Sequence, residues 1–228
     1  MKLSILIPAL NEEANLATLL PLLQPARRAG HQIVVCDGGS TDRTLETAAP
    51  HADVTLSAPR GRALQMNTAA RHATGEVLMF LHADTRPPPD FANAVCDAIR
   101  LTGQQWGRFD VHLESDRTML KAVEGMMNLR SRWTGIATGD QALFVTRALF
   151  QRAGGFPEIA LMEDIAFSKA LKRYGPPLCL RSKVVTSARR WEQGGVWRTI
   201  LSMWGMRLAY WSGADPAKLA ALYYGRHS

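Results

Sequence analysis

A histidine and a carboxylate stand where a buried strand is predicted to end. The apolar run at residues 77–81 is followed by His82, Ala83 and Asp84, and three prolines at 87–89 then oppose any continuation of the strand. Such an aspartate is often a turn or cap residue. It also suits a divalent cation that bridges a diphosphate, because Mg²⁺ prefers one or two protein carboxylates together with phosphate oxygens. The pattern therefore leaves Asp84 either as a turn residue or, provided that a diphosphate binds at this strand end, as a ligand of Mg²⁺ or Mn²⁺.

A second polar stretch, DGGSTD at residues 37–42, follows the apolar run at 32–36. Its two glycines permit a tight turn and a close approach of the backbone to a ligand. Ser40, Thr41 and Asp42 are suited to cap a following helix, whose N-terminus favours anions. The stretch is equally typical of a plain strand-to-helix turn with a good cap. It therefore leaves both interpretations open.

Two further clusters in the second half of the chain offer charged groups. Glu163 and Asp164 could serve acid–base chemistry, although acids also favour the first turn of a helix for electrostatic reasons alone. Arg189, Arg190 and Trp191 form a basic corner that is either solvated or able to donate paired hydrogen bonds to phosphate. The residue types alone do not choose between these alternatives.

Such residues need a scaffold that brings the ends of distant strands together. Through residue 81, short β-branched and apolar runs alternate with helical patterns. This alternation predicts an α/β fold with three layers and a mostly parallel central sheet. Ligands of open parallel sheets bind at the carboxyl ends of the strands. The segments after residues 7, 36 and 81 are therefore predicted to meet at one edge, while residues 106–114 alternate like an antiparallel strand.

The composition excludes several classes of protein. The 228 residues are 46% hydrophobic and 21% charged, which is ordinary for a globular chain with one core. Three well-separated cysteines favour a reducing compartment and argue against a disulfide framework or a thiolate zinc site. No apolar run reaches the roughly 20 residues that cross a bilayer. We therefore expect a cytoplasmic protein, and a location at the inner face of the membrane is the alternative.

The basic C-terminal region raises the question of a surface partner. The net charge is +7, and residues 181–228 hold eight Lys/Arg and two Asp/Glu, 8 − 2 = +6. Trp197, Trp204 and Trp211 recur every seven residues, and with Ile200, Leu201 and Leu208 between them they predict one apolar stripe on a helix. The favoured expectation is that the stripe packs on the core. The alternatives are a self-association face and an interfacial helix on anionic lipid. No stacking motif supports nucleic-acid binding.

Six motifs in order resemble the inverting glycosyltransferases of family 2, which have the A-type fold. They cover most of the chain and are PALNEE (8–13), CDGGSTDRT (36–44), LHADT (81–85), GDQALF (139–144), GGFPE (154–158) and MEDIAFSKAL (162–171). Within this family the chain looks most like small bacterial transferases associated with radical-SAM and selenium-domain gene clusters. The resemblance implies one glycosyltransferase domain over residues 1–228, with a nucleotide-binding half (1–90), an acceptor and catalytic half (91–190) and C-terminal helices (191–228).

The resemblance also implies the reaction and the roles of single residues. A sugar moves from a nucleotide-diphosphate sugar to an acceptor hydroxyl with inversion, Asp164 is the base, and Asp84 is the metal ligand although His82 replaces the usual first aspartate. The residues implied in nucleotide binding are Pro8, Ala9, Asn11, Glu12, Asp37, Gly38, Ser40, Arg60, Gly61, Gln65, Asn67, His82 and Ala83. Those implied on the acceptor or phosphate side are Gly139, Asp140, Gln141, Glu163, Arg189, Arg190 and Trp191.

Other functions remain as alternatives. The acceptor is undefined, and a lipid-linked acceptor is one candidate. A non-catalytic nucleotide-sugar or phospholipid-binding protein would keep the same fold. A nucleotidyltransferase is disfavoured because PALNEE replaces the Arg- and Lys-bearing glycine-rich loop of that class, and an oxidoreductase because no GxGxxG follows the first strand.

Overall fold

The computed structural model describes residues 1–189, 191 and 195–224. Its strands are β1 (Leu3–Ala9), β2 (Gln32–Asp37), β3 (Val54–Ser57), β4 (Val77–Phe80), β5 (Thr85–Arg86), β6 (Trp106–Glu114), β7 (Phe144–Thr146) and β8 (Leu178–Ser187). They form one sheet in the order β3-β2-β1-β4-β7-β6-β8-β5. Strands from both sides of residue 90 therefore share the sheet, and the predicted division of the chain at residues 90 and 190 stays a prediction.

Helices connect most of these strands. They are α1 (Glu13–Arg28), α2 (Thr44–Ala48), α3 (Arg62–His72), α4 (Phe91–Thr102), α5 (Thr118–Thr134), α6 (Arg147–Arg152), α7 (Glu163–Leu171), α8 (Val196–Trp211) and α9 (Pro216–Tyr224). Single 3₁₀ turns occupy Gly139–Gln141 and Lys172–Tyr174. The short α6 and the two-residue β5 were not predicted from the sequence.

The sheet is mixed and mostly parallel, as predicted. β1 pairs in parallel with β2 and β4, and β3 pairs in parallel with β2. β7 is antiparallel to both β4 and β6, and β5 is antiparallel to β8. β6 is antiparallel to β7 but parallel to β8, so the expectation for residues 106–114 holds for one neighbour only. A parallel sheet needs crossover helices, which α1, α2 and α3 supply.

Two apolar cores cover the two faces of the sheet and create the three layers. Successive residues of a strand point to opposite faces, so Ile5 and Leu6 of β1 belong to different cores. The first core includes apolar residues of α1, α4 and α5, and the second includes residues of α3, α6 and α7. The sheet is therefore buried on both sides, and its strand ends are left for ligands.

The C-terminal helices pack by one face only, and the expectation that the tryptophan stripe packs on the core is wrong. Trp197, Trp204 and Trp211 are 67%, 66% and 66% exposed. The reason is helical geometry: Met206 and Tyr210 on the opposite face contact an apolar cluster, and Ile200 at the edge of the stripe contacts the first core, which turns the tryptophans outward. No helix in the described parts of the chain is long and apolar enough to cross a membrane.

Candidate active site

The loops after β1 and β2 are joined by hydrogen bonds between their main chains and side chains. Asn11 has a left-handed backbone (φ 55°), donates its N–H to Ser40 Oγ at 2.8 Å and accepts the Thr41 N–H at Oδ1, also at 2.8 Å. The N–H of Glu12 donates to Thr44 Oγ1 at 2.8 Å. The two loops thus form one unit at the carboxyl edge of the sheet, which is where the sequence predicts them to meet.

Asp37 holds the glycine-rich loop in shape. Its carboxylate is buried and accepts the N–H groups of Gly39 (2.9 Å) and Ser40 (3.0 Å) and the hydroxyl of Ser40. Because Ser40 and Thr41 serve these loop contacts, neither caps the next helix, and α2 begins only at Thr44. The capping role suggested by the sequence is therefore wrong for Ser40 and Thr41, whereas Asp42 accepts the N–H of Thr44, the first residue of α2, at 3.0 Å.

Gln65 lies beneath this loop. Its amide nitrogen donates to the carbonyls of Ala9 at 2.7 Å and Cys36 at 2.9 Å, and the residue is only 3% exposed. A Cβ added to Gly38 would lie 3.0 Å from the Gln65 amide, so only glycine fits there without displacement. The structure therefore places Gln65 as a link between the ends of β1 and β2. Its predicted contact with nucleotide stays a prediction.

The remaining donor-side residues frame the same edge. Pro8 and Ala9 end β1 and are buried, whereas Arg60 is exposed, and Gly61, with φ of 146°, stands directly before α3. Asn67 in α3 donates to the carbonyl of Phe156 at 2.8 Å and accepts its N–H at 2.9 Å. Asn67 therefore fixes the GGFPE loop, which precedes the acidic pair.

His82 lies at the centre of the charged groups. Burial and the positive charge of Arg62 lower the pKa of His82, while Asp84, Asp140 and Asp164 act in the opposite direction. Three predicted site carboxylates therefore lie close enough to the His82 imidazole to influence its pKa. Gly139 abuts the ring, because a Cβ there would come within 2.5 Å of Cε1 and Nε2.

The two carboxylates of the acidic pair, Glu163 and Asp164, have different partners. Glu163 is buried and forms an ion pair with Arg62 (Oε1 to Nε, 3.0 Å). Burial raises the pKa of Glu163, and Arg62 opposes that rise. Asp164 instead accepts the N–H of Gly139 at Oδ2 (2.8 Å) and the N–H of Ile165 at Oδ1 (2.7 Å). Both acids line a small pocket, and Asp164 is the one without a cationic ion-pair partner among the described residues.

The surroundings of Asp84 fit a divalent cation. Asp84 is exposed, and its Oδ1 accepts only the Thr85 hydroxyl, at 3.2 Å, among the described residues. Burial raises the pKa of Glu12; Asn15 lowers it and the nearby charge of Asp84 raises it further. The described residues contain no cluster of three potential metal-ligating side chains. The carboxylates of Glu12 and Asp84 repel each other, and both offer oxygen donors. Such a pair suits an ion whose coordination shell is completed by diphosphate oxygens.

The predicted acceptor-side residues are less closely grouped. Gln141 is fully buried, and its Oε1 accepts the N–H of Thr138 at 3.2 Å. Trp191 belongs to the first apolar core, and Arg189 is exposed and close enough to Glu12 to lower its pKa. Arg190 lies outside the described residues.

Sequence reasoning missed two arginines. Arg62 lies inside a segment that resembles the family, yet only the fold shows its ion pair with Glu163. Arg130 near the end of α5 is half-buried, and Asp140 and Asp164 lie close enough to influence its pKa. A basic residue near a helix C-terminus is ordinary, so the sequence held no signal that Arg130 would be buried.

Comparison with known proteins defines the class of this chain. The fold matches solved nucleotide-sugar transferases of the A-type, as described below, and residues 4–149 match the model of Glycosyl transferase family 2. The chain therefore belongs to glycosyl transferase family 2. This confirms the predicted fold class and the predicted membership of a glycosyltransferase family.

Three relatives illustrate the similarity. The dolichol-phosphate mannosyltransferase of Pyrococcus furiosus is 30% identical over 107 residues, which span 44% of this chain and 30% of that protein. S. aureus TarS, crystallised with UDP-GlcNAc, superposes with a TM-score of 0.65 at 19% identity, covering 82% of this chain and 58% of its own. The mannosyltransferase PcManGT of Pyrobaculum calidifontis, in complex with GDP-Man and Mn²⁺, gives 0.62 at 23% identity, covering 81% and 56%.

Proposed function

We propose that the protein transfers a sugar from a nucleotide-diphosphate sugar to an acceptor hydroxyl, with inversion, and that Asp164 is the general base. The observation that carries this proposal is the placement of Asp164: it lines the pocket beside His82, and main-chain N–H groups of Gly139 and Ile165 fix both of its oxygens. A base must lie within hydrogen-bond reach of the proton that it abstracts. A fixed carboxylate in a pocket meets that need.

The division of roles between the two acids supports a single base. Arg62 neutralises Glu163, so that carboxylate positions the start of α7. Asp164 accepts the proton of the acceptor hydroxyl while the oxygen attacks the anomeric carbon from the side opposite the leaving diphosphate. One displacement inverts the configuration and needs one base, which is what this arrangement supplies.

The joined loops after β1 and β2 would bind the donor. Their main chain is already held by hydrogen bonds within the protein, so donor binding orders few groups. TarS and PcManGT bind UDP-GlcNAc and GDP-Man, which supports a nucleotide-sugar donor here and leaves its base and sugar undefined. The association with radical-SAM gene clusters stays a prediction.

Asp84 would hold Mg²⁺ or Mn²⁺ on the diphosphate, with Glu12 nearby. When bound, the ion would neutralise negative charge as the diphosphate departs. The exposed carboxylate and its repulsion with Glu12 support this assignment, as does the Mn²⁺ in the PcManGT complex.

The donor and metal assignments can be tested without an acceptor. We would screen nucleotide sugars by thermal shift with Mn²⁺ and with EDTA, then measure hydrolysis of the donors that bind. Specific ligands raise the melting temperature by mass action. The expected result is a shift that requires both a matching nucleotide and metal. The proposal fails if no nucleotide-diphosphate sugar stabilises the protein, and a non-catalytic role follows if donors bind but are never hydrolysed or transferred.

We also propose that the exposed stripe of α8 lies on an anionic lipid surface and brings the site to a lipid-linked acceptor. Arg198 and Arg207 are nine residues apart and so flank the stripe from opposite sides of the helix. Tryptophans at headgroup depth with arginines toward anionic lipid are typical of interfacial helices. The same positive charge on two copies would oppose self-association through this face.

Flotation with liposomes tests the lipid contact. The protein should float with vesicles that contain phosphatidylglycerol at low salt and less so at high salt, because added ions screen the charges. Trp204→Ser should reduce flotation, whereas the exposed Leu101→Ser in α4 is the matched control. Failure to float at low salt would leave self-association as the role of the stripe.

A further inference from the structure

One edge of the Arg130 guanidinium lacks a hydrogen-bond partner among the described residues. This points to a ligand whose binding site was not predicted from the sequence. The Nε and Nη2 atoms of Arg130 are buried and have no hydrogen-bond partner among the described residues. These two nitrogens form the side of a guanidinium that donates two parallel hydrogen bonds to a carboxylate or phosphate. Burying such donors unpaired is unfavourable. A ligand with two acceptor oxygens would remove that cost.

A second cation stands close to Arg130. Burial and the positive charge of Arg207 in α8 lower the pKa of Arg130 to about 10, while Asp140 and Asp164 act in the opposite direction. Arg130 therefore keeps its charge at neutral pH. Asp140 does not pair with it: the buried Oδ1 of Asp140 also lacks a hydrogen-bond partner among the described residues. Two cations thus face this region without a paired anion from the described chain.

We propose that Arg130, assisted by Arg207, binds an anionic group of the acceptor, either a phosphate or a carboxylate, beside the hydroxyl that Asp164 deprotonates. The inference rests on the proposed function, because the role of Asp164 defines where the acceptor hydroxyl lies. Both arginines are needed, since Asp140 and Asp164 repel an anion and one cation would only balance one of them. Arg130 is then a specificity-determining residue that selects acceptors bearing an anion.

Binding of inorganic phosphate tests the subsite in the absence of donor. Calorimetry would be run in EDTA at constant ionic strength, which removes metal-dependent binding at Asp84. Wild-type protein should bind phosphate saturably, and Arg130→Met should weaken that binding at least tenfold. Arg207→Met should weaken it less, and Arg130→Lys should retain part of it because lysine keeps the charge but loses the paired donors. Arg181→Met, at an exposed position of β8, is the matched control and should match the wild type.

Vesicles distinguish a lipid phosphate from a soluble one. Phosphatidylcholine vesicles would carry phosphatidate, a phosphate monoester, or phosphatidylglycerol, a diester, at equal surface charge. A lipid-borne acceptor predicts that the wild type prefers phosphatidate and that Arg130→Met loses the preference. A soluble acceptor predicts an Arg130-dependent phosphate affinity with no vesicle preference in either protein.

The proposal is overturned if neither probe separates the wild type from Arg130→Met and Arg130→Lys, or if Arg181→Met loses as much affinity as Arg130→Met. Since these measurements use neither donor nor metal, their failure leaves the donor and metal tests of the proposed transfer untouched. Failure of transfer would likewise leave the phosphate measurement standing.

Discussion

The donor side and the acceptor side of the site differ in how their polar groups are satisfied. On the donor side, the buried Asp37 and Gln65 are hydrogen-bonded within the chain. Among the described residues, all buried side-chain polar atoms without a partner lie on the other side, between residues 108 and 141. They belong to Arg108, Arg130, Ser131, Asp140 and Gln141.

This difference suggests two strategies for binding. A donor loop whose polar groups are already paired keeps its shape before the nucleotide arrives. A region with unpaired buried groups gives up stability, and it recovers that free energy only when a ligand supplies the missing partners. Proteins commonly accept such a stability loss at sites that serve function. The comparison makes the acceptor side the region where substitutions should separate activity from stability.

The largest expected effect is on the rate of sugar transfer, through a substitution on the acceptor side. Asp164→Asn keeps the shape of the side chain and removes the proton acceptor, so transfer should fall by about 10²-fold or more. Donor affinity, measured by calorimetry, should stay near the wild-type value. If turnover of an identified acceptor changes by only a few-fold, Asp164 is structural and the base lies elsewhere.

The next effect concerns the donor side. Asp84→Ala should weaken metal-dependent binding of nucleoside diphosphate about tenfold or more, because the exposed carboxylate is the proposed protein ligand of the ion. Calorimetry with Mn²⁺ and with EDTA measures it, and circular dichroism checks the fold. An unchanged gain in affinity on adding Mn²⁺ would show that the ion binds elsewhere.

A pair of substitutions tests the comparison through stability. Gln65→Leu leaves the carbonyls of Ala9 and Cys36 unpaired and should lower the free energy of unfolding by about 1–3 kcal/mol. Arg130→Met removes unpaired buried donors and should leave the stability unchanged or raise it by about 1 kcal/mol. Denaturant titration of both variants gives the two values. A clear loss in Arg130→Met would mean that Arg130 is already paired in solution, with Asp140 the nearest candidate.

A smaller, pH-dependent effect is expected where the two sides meet. Burial raises the pKa of Glu163 above its unfolded value. The folded state is therefore penalised as pH rises above the unfolded pKa, where the unfolded state releases its proton first. Arg62 offsets this penalty. Arg62→Met should thus cost little near pH 4.5 and about 1 kcal/mol at pH 7.5, an amount limited by solvent screening of the partly exposed Arg62.

Thermal denaturation of the wild type and Arg62→Met across this pH range measures the difference. Arg60→Met removes an exposed arginine two residues earlier and serves as the control. An equal deficit of Arg62→Met at both pH values would assign the role of Arg62 to packing of its alkyl stem.

Sequence patterns were sufficient for the fold and for the strand-end motifs. The β-branched runs fix which strands are buried, and a parallel sheet then brings the segments after β1, β2 and β4 to one edge. Such patterns could not predict contacts between residues that are distant in the sequence. The ion pair of Arg62 with Glu163 and the burial of Arg130 depend on how helices pack, and neither residue differs locally from a surface residue.

The outcome for the C-terminal helix shows the same limit. Periodicity correctly predicted that Trp197, Trp204 and Trp211 share one face of a helix, but periodicity cannot say which face meets the core. The face that contains Met206 and Tyr210 packs inward, whereas Ile200, at the edge of the predicted stripe, is the one described stripe residue that contacts the core. The choice depends on the shape of the partner surface, which is a tertiary property.

The segment of residues 81–84 is fixed at both ends, by β4 before it and by the short strand β5 after it. β4 holds its start within the parallel half of the sheet, and Thr85 holds its end by pairing with Thr186 of β8, where the two hydroxyls lie 3.1 Å apart. The four residues between the two strands, 81 to 84, therefore connect β4 in the middle of the sheet to β5 at its edge. The proposed metal ligand Asp84 thus lies on a short segment that is fixed at both ends, so it should keep the same position before and after a diphosphate binds.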